Sequence, residues 1–318
     1  MKGGRLMNLT HLKYAIEVDK TRSITRAAEN LSMGQPNLSR CIKELEDTLG
    51  IVLFRRTSKG ITPTAQGEEF LSYARSVLSQ IEEMENHFSQ KRGSTLDFSI
   101  SVPRASYITQ AFTRLVAELD RSMRMELRYN ETSSMRAINN ILQNGYNLGI
   151  IRYQSQFETN FMNLLREKSL KSEVICEFTP VAILSADSPL ARKSDLTMDD
   201  LAGYIEISHD DVHVPYMPYA EVKKAELSDK VSKRVIVCER ASQLDLLSAL
   251  PDAYMLSSEM PDEVLARQRL VRRVCRDNNR RYRDLLIYPD GYHFSEIDNH
   301  FLSLLSEVRN QMHQHGAF

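Results

Sequence analysis

The feature that most restricts the fold of this chain is a helix pattern bounded by two glycines, Gly34 and Gly50. Apolar residues recur between them at spacings of four, three and four, at Leu38, Ile42, Leu45 and Leu49. At about 3.6 residues per turn, these side chains share one face of a helix, and the opposite face is polar. Gly34 can act as the N-cap, Pro36 loses no hydrogen bond in the first turn, and Gly50 can end the helix. We therefore predict a short, sharply bounded amphipathic helix.

A second helix is predicted directly upstream. Ser23 can cap it, and its packing face consists of Ile24, Ala27, Ala28 and Leu31. Because the two alanines are small, another helix can approach closely, and the pair indicates a helix-turn-helix. In that motif the second helix enters the major groove of DNA with its N-terminal residues toward the base edges. The residues placed to contact DNA are Ser23, Gln35, Pro36, Asn37, Ser39, Arg40 and Lys43.

Periodicity alone leaves a second interpretation open, in which the two helices belong to an all-helical core with a solvated polar face. The order of residues is more specific, with A-A-x-x-L, then Q-P-x-L-S-R-x-I-x-x-L-E-x-x-L-G, then L-F-x-R. These are Ala27, Ala28, Leu31, Gln35, Pro36, Leu38, Ser39, Arg40, Ile42, Leu45, Glu46, Leu49, Gly50, Leu53, Phe54 and Arg56. The string resembles the N-terminal domain of LysR-type transcriptional regulators, which implies a winged helix-turn-helix. Gly34 departs from the family, which usually has a serine there, so a side-chain cap or phosphate contact is missing.

A basic turn between two short apolar runs predicts a β-hairpin wing. Residues 51–54 form the first run, residues 61–62 form the second, and the turn carries Arg55, Arg56 and Lys59. Cations in this position favour contacts to phosphates or to the minor groove, which strengthen binding and carry little sequence information. The alternative is a solvated basic loop.

Charge is unevenly distributed along the 318 residues. Residues 1–63 hold eleven Lys or Arg and six Asp or Glu, a net charge of +5, whereas the whole chain carries −1, which leaves −6 for the remainder. A basic segment of this kind can neutralise DNA phosphates. The length favours more than one domain, and the hydrophobic content of 42% favours folded domains over disorder.

A long helix is predicted at residues 65–89, capped by Thr62 or Thr64. Its apolar residues have heptad spacing, at Phe70, Ala74, Val77, Ile81, Met84 and Phe88. About 25 residues give a length of roughly 37 Å, which is long for a helix that packs on one small domain only. The stripe predicts a dimerisation helix, and the resemblance implies antiparallel pairing between two subunits. The alternative is a connection packed on the next domain of the same chain.

The remainder alternates between strand and helix patterns after a predicted hinge at residues 90–95, which indicates parallel, doubly wound sheets. The predicted fold class is multidomain α+β. It comprises a winged helix-turn-helix at residues 7–64, the linker helix, and a two-lobed α/β effector domain at residues 96–318 that resembles periplasmic binding proteins. Lobe I is placed at residues 96–170 and 275–318 and lobe II at residues 171–274, with two crossing strands between them. The resemblance implies the same two-part effector domain.

Open α/β sheets bind ligands at the carboxyl ends of their strands, where helix N-termini offer free N–H groups. That rule selects residues 104–106, 133–134, 152, 208–209 and 239–242, and the effector contacts predicted from them are Arg104, Ser106, Ser133, Ser134, Arg152, Ser208 and Glu239. The hydroxyls and arginines favour an anion, and we predict that Arg152 holds a carboxylate bidentately. Each residue can instead cap a helix or pair with an acid. The resemblance implies that residues 131–152 line the cleft and that Ser134 and Arg152 contact effectors, whereas Asn147 replaces the usual aspartate.

Other functions are disfavoured. Without a nucleophile elbow, phosphate loop or paired-carboxylate motif, an enzyme is not expected, and a solute-binding protein would need an export signal. No stretch approaches the roughly eighteen apolar residues of a membrane span. The cysteines are far apart, which predicts reduced thiols in a cytoplasmic protein: they are Cys41, Cys176, Cys238 and Cys275.

Two further clusters of residues are candidates for other sites. His209 and His213 would reach one metal ion only from a helix, but Val214 and Pro215 indicate an extended segment, so no metal site is predicted. The arginines between Arg267 and Arg283 can contact DNA or an acidic partner, or else form a solvated face paired with Asp262, Glu263, Asp277 and Asp284. The sequence thus predicts a LysR-type regulator that binds a small, anionic effector and needs no cofactor. Its expected partners are double-stranded DNA, the effector, further copies of itself in a dimer or tetramer, and RNA polymerase, with no membrane.

Overall fold

The computed structural model describes residues 8–57, 60–89, 95–209, 213–226 and 231–315, and the chain divides into two units, residues 1–94 and 95–318. Lys59, most of the predicted hinge at residues 90–95, and Asp210 and Asp211 lie outside the described residues. Each unit has cores of its own.

The first unit begins with three helices, α1 (Leu9–Thr21), α2 (Ile24–Asn30) and α3 (Gln35–Leu49). The Ser23 hydroxyl accepts a bond of 3.4 Å from the Arg26 amide at the start of α2. Gly34 caps α3 without a side-chain bond, and Gly50 ends α3 in the left-handed conformation at φ 70°. Both ends of the short helix are therefore as predicted. The apolar faces meet in one core that includes Ala15, Val18, Ala27, Ala28, Leu38, Ile42, Leu45, Leu53 and Leu71.

The wing consists of β1 (Phe54–Thr57) and β2 (Gly60–Pro63), paired antiparallel. Its first strand begins later than predicted, because the chain before it is bonded to α3 rather than to a strand. The Glu46 carboxylate accepts bonds from the Leu53 amide (2.7 Å) and the Phe54 amide (3.2 Å). The Ile61 amide donates to the carbonyl of Arg22 at 3.0 Å, which ties β2 to the end of α1.

The long helix α4 (Ala65–Ser89) has the predicted bounds. Thr64 is the cap, since its hydroxyl accepts from the Gly67 amide at 2.9 Å and donates to the Val52 carbonyl at 2.6 Å. Gly67 has no room for a side chain, because a Cβ there would lie 2.0 Å from the Leu53 carbonyl oxygen. These contacts fix the point at which α4 leaves the wing.

The second unit contains the remaining elements. In chain order they are β3 (Leu96–Val102), α5 (Ser106–Glu118), β4 (Met125–Glu131), α6 (Ser134–Gln143), β5 (Leu148–Gln154), α7 (Glu158–Glu167), β6 (Leu170–Phe178), β7 (Val181–Ser185), α8 (Met198–Leu201), β8 (Ile205–Ser208), α9 (Tyr219–Glu226), β9 (Arg234–Ile236), α10 (Arg240–Ala249), β10 (Ala253–Ser257), α11 (Asp262–Arg267), β11 (Leu270–Arg273), β12 (Tyr282–Pro289) and α12 (Glu296–His315).

Two five-stranded sheets define the lobes. Lobe I has the strand order β4-β3-β5-β12-β6, and lobe II has the order β11-β7-β10-β8-β9. The prediction of parallel sheets is wrong in part, because β12 runs antiparallel to β5 and β6, and β7 runs antiparallel to β10 and β11. The boundary between the lobes also differs from the predicted one. Strand β6 pairs with β12 in lobe I, so the chain passes into lobe II at residues 179–180 and returns to lobe I at residues 274–281.

The lobe boundary is crossed once more by residues 213–226. Val214 and Val222 lie in the middle of the lobe II sequence, yet they are buried in a core of lobe I that also contains Phe157, Phe161 and Leu285. The Asn160 side chain donates to the Pro215 carbonyl at 2.9 Å. Helix α9 is therefore part of the packing of lobe I and approaches the region where the two lobes meet.

Candidate nucleic-acid interface and ligand cavity

The N-terminal half of α3 presents a polar, accessible face. Leu38, Ile42 and Leu45 on the other side of the helix are buried in the core of the first unit. The opposite side is exposed at Gln35, Pro36, Asn37, Arg40 and Lys43, and Ser39 lies half-buried beside them. Because Gly34 has no side chain, no hydroxyl or carboxylate accepts from the first amide groups of α3 at its N-cap. The arrangement can offer several hydrogen-bond donors to a nucleic-acid groove.

The remaining predicted DNA contacts flank this helix. Arg55 and Arg56 are exposed on β1. Ser23 is partly buried as the cap of α2. Sequence reasoning gave no role to Glu46, although its two backbone bonds position the strand that carries both arginines. A glutamate one helical turn before a terminal glycine is a weak signal for such a role.

The predicted dimerisation stripe on α4 divides into two parts. Ala74 is only 2% exposed, and Phe70 packs against the core of the first unit, so the prediction is wrong for Ala74, which is covered within its own chain. Val77 and Met84 are 39% and 53% exposed, and Ile81 is half-buried. The Phe88 side chain lies outside the described residues. An apolar surface therefore remains on the second half of α4.

The second unit contains a cavity of about 250 Å³ between its two lobes. Five of the seven predicted effector contacts line it, namely Arg104, Ser133, Ser134, Arg152 and Ser208. The other two are corrected by the structure. Ser106 is buried behind the cavity wall as an acceptor for Arg240. Glu239 is exposed at the N-cap of α10, outside the lining.

Ser134 and Arg152 are held by each other. The Ser134 hydroxyl donates to the Arg152 carbonyl at 2.6 Å and accepts from the Arg152 amide at 2.9 Å. Its single proton is thus already engaged, and it joins the start of α6 to β5. Ser208 differs, because its buried Oγ has no hydrogen-bond partner among the described residues.

Arg152 does not have the free guanidinium that the carboxylate prediction requires. Its Nε and Nη2 atoms donate to the two carboxylate oxygens of Asp284 at 2.7 Å each, and Asp284 is fully buried. Burial alone would lower the pKa of Arg152, but the adjacent Asp284 outweighs it and the pKa is raised. The guanidinium also lies 4.7 Å from the centre of the Phe178 ring. The bidentate prediction for Arg152 is corrected, because the protein itself supplies the carboxylate.

A buried cluster continues behind this pair. The Tyr107 hydroxyl donates to Asp284 at 2.5 Å, and the Cys176 sulfur lies 3.6 Å from the same hydroxyl. Burial, and then the Asp284 charge, raise the pKa of Tyr107 and raise that of Cys176 to about 12. Both groups therefore stay protonated at neutral pH.

Arg240 is a cavity residue that was not singled out as a contact from the sequence. It begins α10, its Nη2 donates to the Ser106 hydroxyl at 2.5 Å, and its Nη1 lies 3.9 Å from Glu131. Burial lowers its pKa. Ser106 and Glu131 belong to lobe I, so Arg240 connects the lobes, as does Arg104 through a 3.0 Å bond to the Cys238 carbonyl. The strand-end rule selected residues 239–242, which include Arg240, but Glu239 was the one predicted as the contact.

The cavity lining also has a partly buried acid and an aromatic wall. The Tyr282 hydroxyl donates to Glu226, and burial raises the pKa of that carboxyl. Arg280 lines the cavity nearby. The aromatic residues of the wall are Tyr153, Phe157, Phe161 and Phe178. The cavity thus combines cations with an apolar surface.

The two remaining clusters have partners within the chain. The His209 ring nitrogens face the Val237 carbonyl (2.7 Å) and the Gln243 side-chain oxygen (3.0 Å), and within the described ranges no group of His, Cys, Asp or Glu could hold a metal ion. The arginine-rich stretch forms ion pairs of Arg269, Arg272, Arg276, Arg281 and Arg283 with Asp187, Asp262, Asp195, Glu177 and Glu158. Of the acidic partners predicted for these arginines, Asp262 pairs with Arg272, whereas Asp284 binds Arg152 instead.

Of the helices in the described part of the chain, none has the length and apolar character to cross a bilayer.

Comparisons with known proteins agree with this geometry. Residues 9–68 match the lysR family of bacterial regulatory helix-turn-helix proteins. The HTH-type transcriptional regulator AlsR of Bacillus subtilis (strain 168) is 32% identical over 200 residues, which cover 61% of this chain and 62% of AlsR. Matches to three curated relatives, AlsR among them, cover 62 to 64% of those proteins' own length, which is less than two thirds.

Solved structures show the same fold along nearly the whole chain. ArgP from Mycobacterium tuberculosis has a TM-score of 0.62 at 15% identity, with 96% of this chain and 97% of that one covered. Full-length LysG from Corynebacterium glutamicum with bound effector Arg has a TM-score of 0.60 at 14% identity, with coverages of 96% and 99%. Residues 9–68 therefore match a helix-turn-helix domain of the lysR family, and the chain shares the fold of these two solved structures along nearly its whole length.

Proposed function

We propose that this chain is a sequence-specific DNA-binding transcriptional regulator whose DNA binding is modulated by a small anionic molecule in the cavity of the second unit. The observation that carries the proposal is the N-terminal half of α3, where Gln35, Asn37 and Arg40 are exposed on a helix whose other face is fully packed. A helix of this kind fits the major groove of B-DNA, whose width is about 12 Å.

The proposal assigns different roles to α3 and to the wing. Arg40 and its neighbours on α3 read base edges, and Arg55 and Arg56 on β1 neutralise phosphates. The net charge of +5 on residues 1–63 supports the second role, since phosphate contacts provide most of the salt-dependent affinity for DNA. Lys59 belongs to the same set.

A second copy of the chain is part of the proposal. The exposed Val77 and Met84 on α4 support apolar pairing between two long helices, in a dimer or tetramer, and a dimer would bind two half-sites related by two-fold symmetry. Contact with RNA polymerase at a bound promoter belongs to the same proposal. Sedimentation of the full chain as a monomer at micromolar concentration would contradict the oligomer.

The cavity supports ligand control. It is lined by both lobes, so a ligand that contacts both shifts the equilibrium between lobe arrangements, and by linkage it changes the affinity for DNA. LysG, which shares the fold, was solved with an effector bound. Asp284 neutralises Arg152, and the other lining arginines, Arg104, Arg240 and Arg280, outnumber the lining glutamates, Glu206 and Glu226, which favours an anion over a cation.

The test is selection from random double-stranded DNA by the full-length chain, followed by sequencing of the bound fraction. We expect enrichment of a partly palindromic motif. Arg40→Ala should lose the motif, while Arg121→Ala, which changes an exposed arginine of the second unit, should recover it unchanged. Binding that depends on salt but yields no motif would contradict sequence-specific regulation.

A further inference from the structure

Two arginines of the cavity are buried to nearly the same degree but have very different partners. The side chains of Arg152 and Arg240 are 16% and 13% exposed. Arg152 has a complete bidentate pair with Asp284. The only hydrogen-bond acceptor that Arg240 reaches among the described residues is the neutral Ser106 hydroxyl, and its nearest carboxylate, on Glu131, is 3.9 Å away.

The Glu131 carboxylate is bonded to another residue and does not complete the pair in this structure. Its Oε1 atom already accepts a bond of 3.1 Å from the Thr109 hydroxyl, which also contacts the Tyr129 hydroxyl at 3.0 Å. A buried cation that lacks a hydrogen-bonded counter-ion carries a desolvation cost that its surroundings do not offset. The opposite pKa shifts of the two arginines follow, with Arg152 raised by its carboxylate and Arg240 lowered by burial.

We infer that Arg240 receives the anionic group of the ligand, a carboxylate, while Arg152 is a structural part of the cavity wall. The inference rests on the proposed function only in assuming that a small molecule occupies the cavity. A ligand carboxylate supplies the fork-shaped acceptor that Ser106 does not, because guanidinium and carboxylate form two parallel hydrogen bonds.

The rest of the ligand follows from the remaining lining. Tyr153 and Phe161 are stacked with ring centres 4.7 Å apart, and Phe157 and Phe178 also face the cavity. An aromatic or similarly apolar body suits this wall, and a cavity of about 250 Å³ limits it to a small molecule. The ligand class is therefore a small carboxylic acid with an aromatic or apolar body.

Binding at Arg240 also has a consequence for the lobes. Arg240 starts α10 in lobe II, whereas Ser106 and Glu131 are in lobe I. A carboxylate that takes over the Nη2 donor replaces a direct contact between the lobes with a contact through the ligand. The arginine therefore senses the ligand and transmits its presence to the lobe arrangement.

The test uses phenylacetate as a probe, with phenylacetamide as its neutral counterpart, in nuclear magnetic resonance titrations of the full-length chain at millimolar probe concentrations. Wild-type protein should bind phenylacetate saturably and phenylacetamide at least about tenfold more weakly, since a hydrogen-bonded charge is lost. Arg240→Gln should weaken phenylacetate binding by at least about tenfold, and Arg240→Lys, which keeps the charge but not the fork, by less.

Arg121→Gln is the matched control, because Arg121 is an exposed arginine of the second unit that does not line the cavity. It should bind the probe within about twofold of wild type, which is the ordinary effect of a distant charge. Retention of binding in Arg240→Gln would overturn the assignment, as would equal binding of the acid and the amide or no saturable binding by wild type.

Folding and DNA binding are read separately on the same preparations. Circular dichroism and thermal melting identify a variant that fails to fold. If Arg240→Gln does not fold, the test rests on Arg240→Lys. Phenylacetate binding by Arg240→Lys that equals wild type would then count against the role of Arg240. Mobility shifts on DNA test the proposed function independently, since the probe titration does not need DNA. A chain that binds phenylacetate through Arg240 but no DNA motif would keep this inference and refute the regulator.

Discussion

The two units present their polar side chains in opposite ways. On α3 of the first unit, Arg40 and Lys43 are exposed, and apolar residues on the other face hold the helix. In the cavity of the second unit, Arg152 and Arg240 are buried and bonded to other parts of the chain. Exposed charges contribute little to stability, whereas a broken buried pair costs several kcal/mol. Recognition and stability should therefore be separable in the first unit and coupled in the second.

The largest effect is expected from Asp284→Ala in the second unit. It leaves the Arg152 guanidinium buried without its bidentate partner, and the free energy of unfolding should fall by about 3–5 kcal/mol. Denaturant unfolding measures the change. Asp262→Ala removes a 66% exposed carboxylate from its pair with Arg272 and should cost at most about 1 kcal/mol. Equal losses of unfolding free energy in both variants would mean that the buried Arg152–Asp284 pair stabilises the fold no more than an exposed pair does.

Stability of the first unit should depend on its packing, and Gly67→Ala tests this. A Cβ at residue 67 meets the Leu53 carbonyl oxygen at 2.0 Å, so the first turn of α4 must move away from the wing. The expected loss is about 1–3 kcal/mol, or more if the backbone cannot adjust. Gly34→Ala is the control, because the nearest atoms to its Cβ are 3.8 Å away. Matching melting temperatures of the two variants would refute the close approach.

Arg40→Ala and Arg56→Ala should change DNA binding without changing stability. If Arg40 reads a guanine, its loss weakens binding to the selected motif by about 1–3 kcal/mol and leaves random DNA nearly unaffected. Loss of Arg56 should weaken both and reduce the salt slope by about one. Fluorescence anisotropy at several salt concentrations separates the two. The distinction between α3 and the wing fails if both variants lose affinity equally on both DNAs.

The same contrast explains which parts of the molecule were predictable from sequence. The bounds of α3 and α4 follow from local signals, namely a glycine at each end of α3 and a threonine before α4. Strand β6 was missed, because it lies at the edge of its sheet and its residues alternate weakly between apolar and polar. Its partner β12 follows about a hundred residues later, and such pairings leave no local pattern.

The sequence predicted where the cavity lies but not which of its charged side chains are paired. Strand ends and helix starts identified five lining residues, since those positions depend on topology. The partner of Arg152 is 132 residues away, at Asp284. Which arginine is neutralised and which is not depends on such distant pairs, so the role of Arg240 emerged only from the structure.

The smallest effect concerns the acid of the cavity and depends on pH. Burial raises the pKa of Glu226 above its ordinary value of 4.5, so the folded chain holds this proton more tightly than the unfolded chain. Stability therefore falls as pH rises from the ordinary value through the raised folded value. Glu226→Gln removes this loss and can still accept the Tyr282 hydrogen bond, so its melting temperature should exceed that of wild type at neutral pH and equal it in acid.

Glu177→Gln provides the control of opposite sign. Hydrogen bonds from Arg283 and Arg281 lower the pKa of Glu177, so its contribution to stability is present at neutral pH and is lost as pH falls through the lowered value. This variant should melt below wild type at neutral pH and converge with it in acid. Because Glu177 is partly exposed, solvent screening keeps the difference small. If both variants shifted the melting temperature in the same direction at neutral pH, burial would not be what distinguishes the cavity acid from an exposed one.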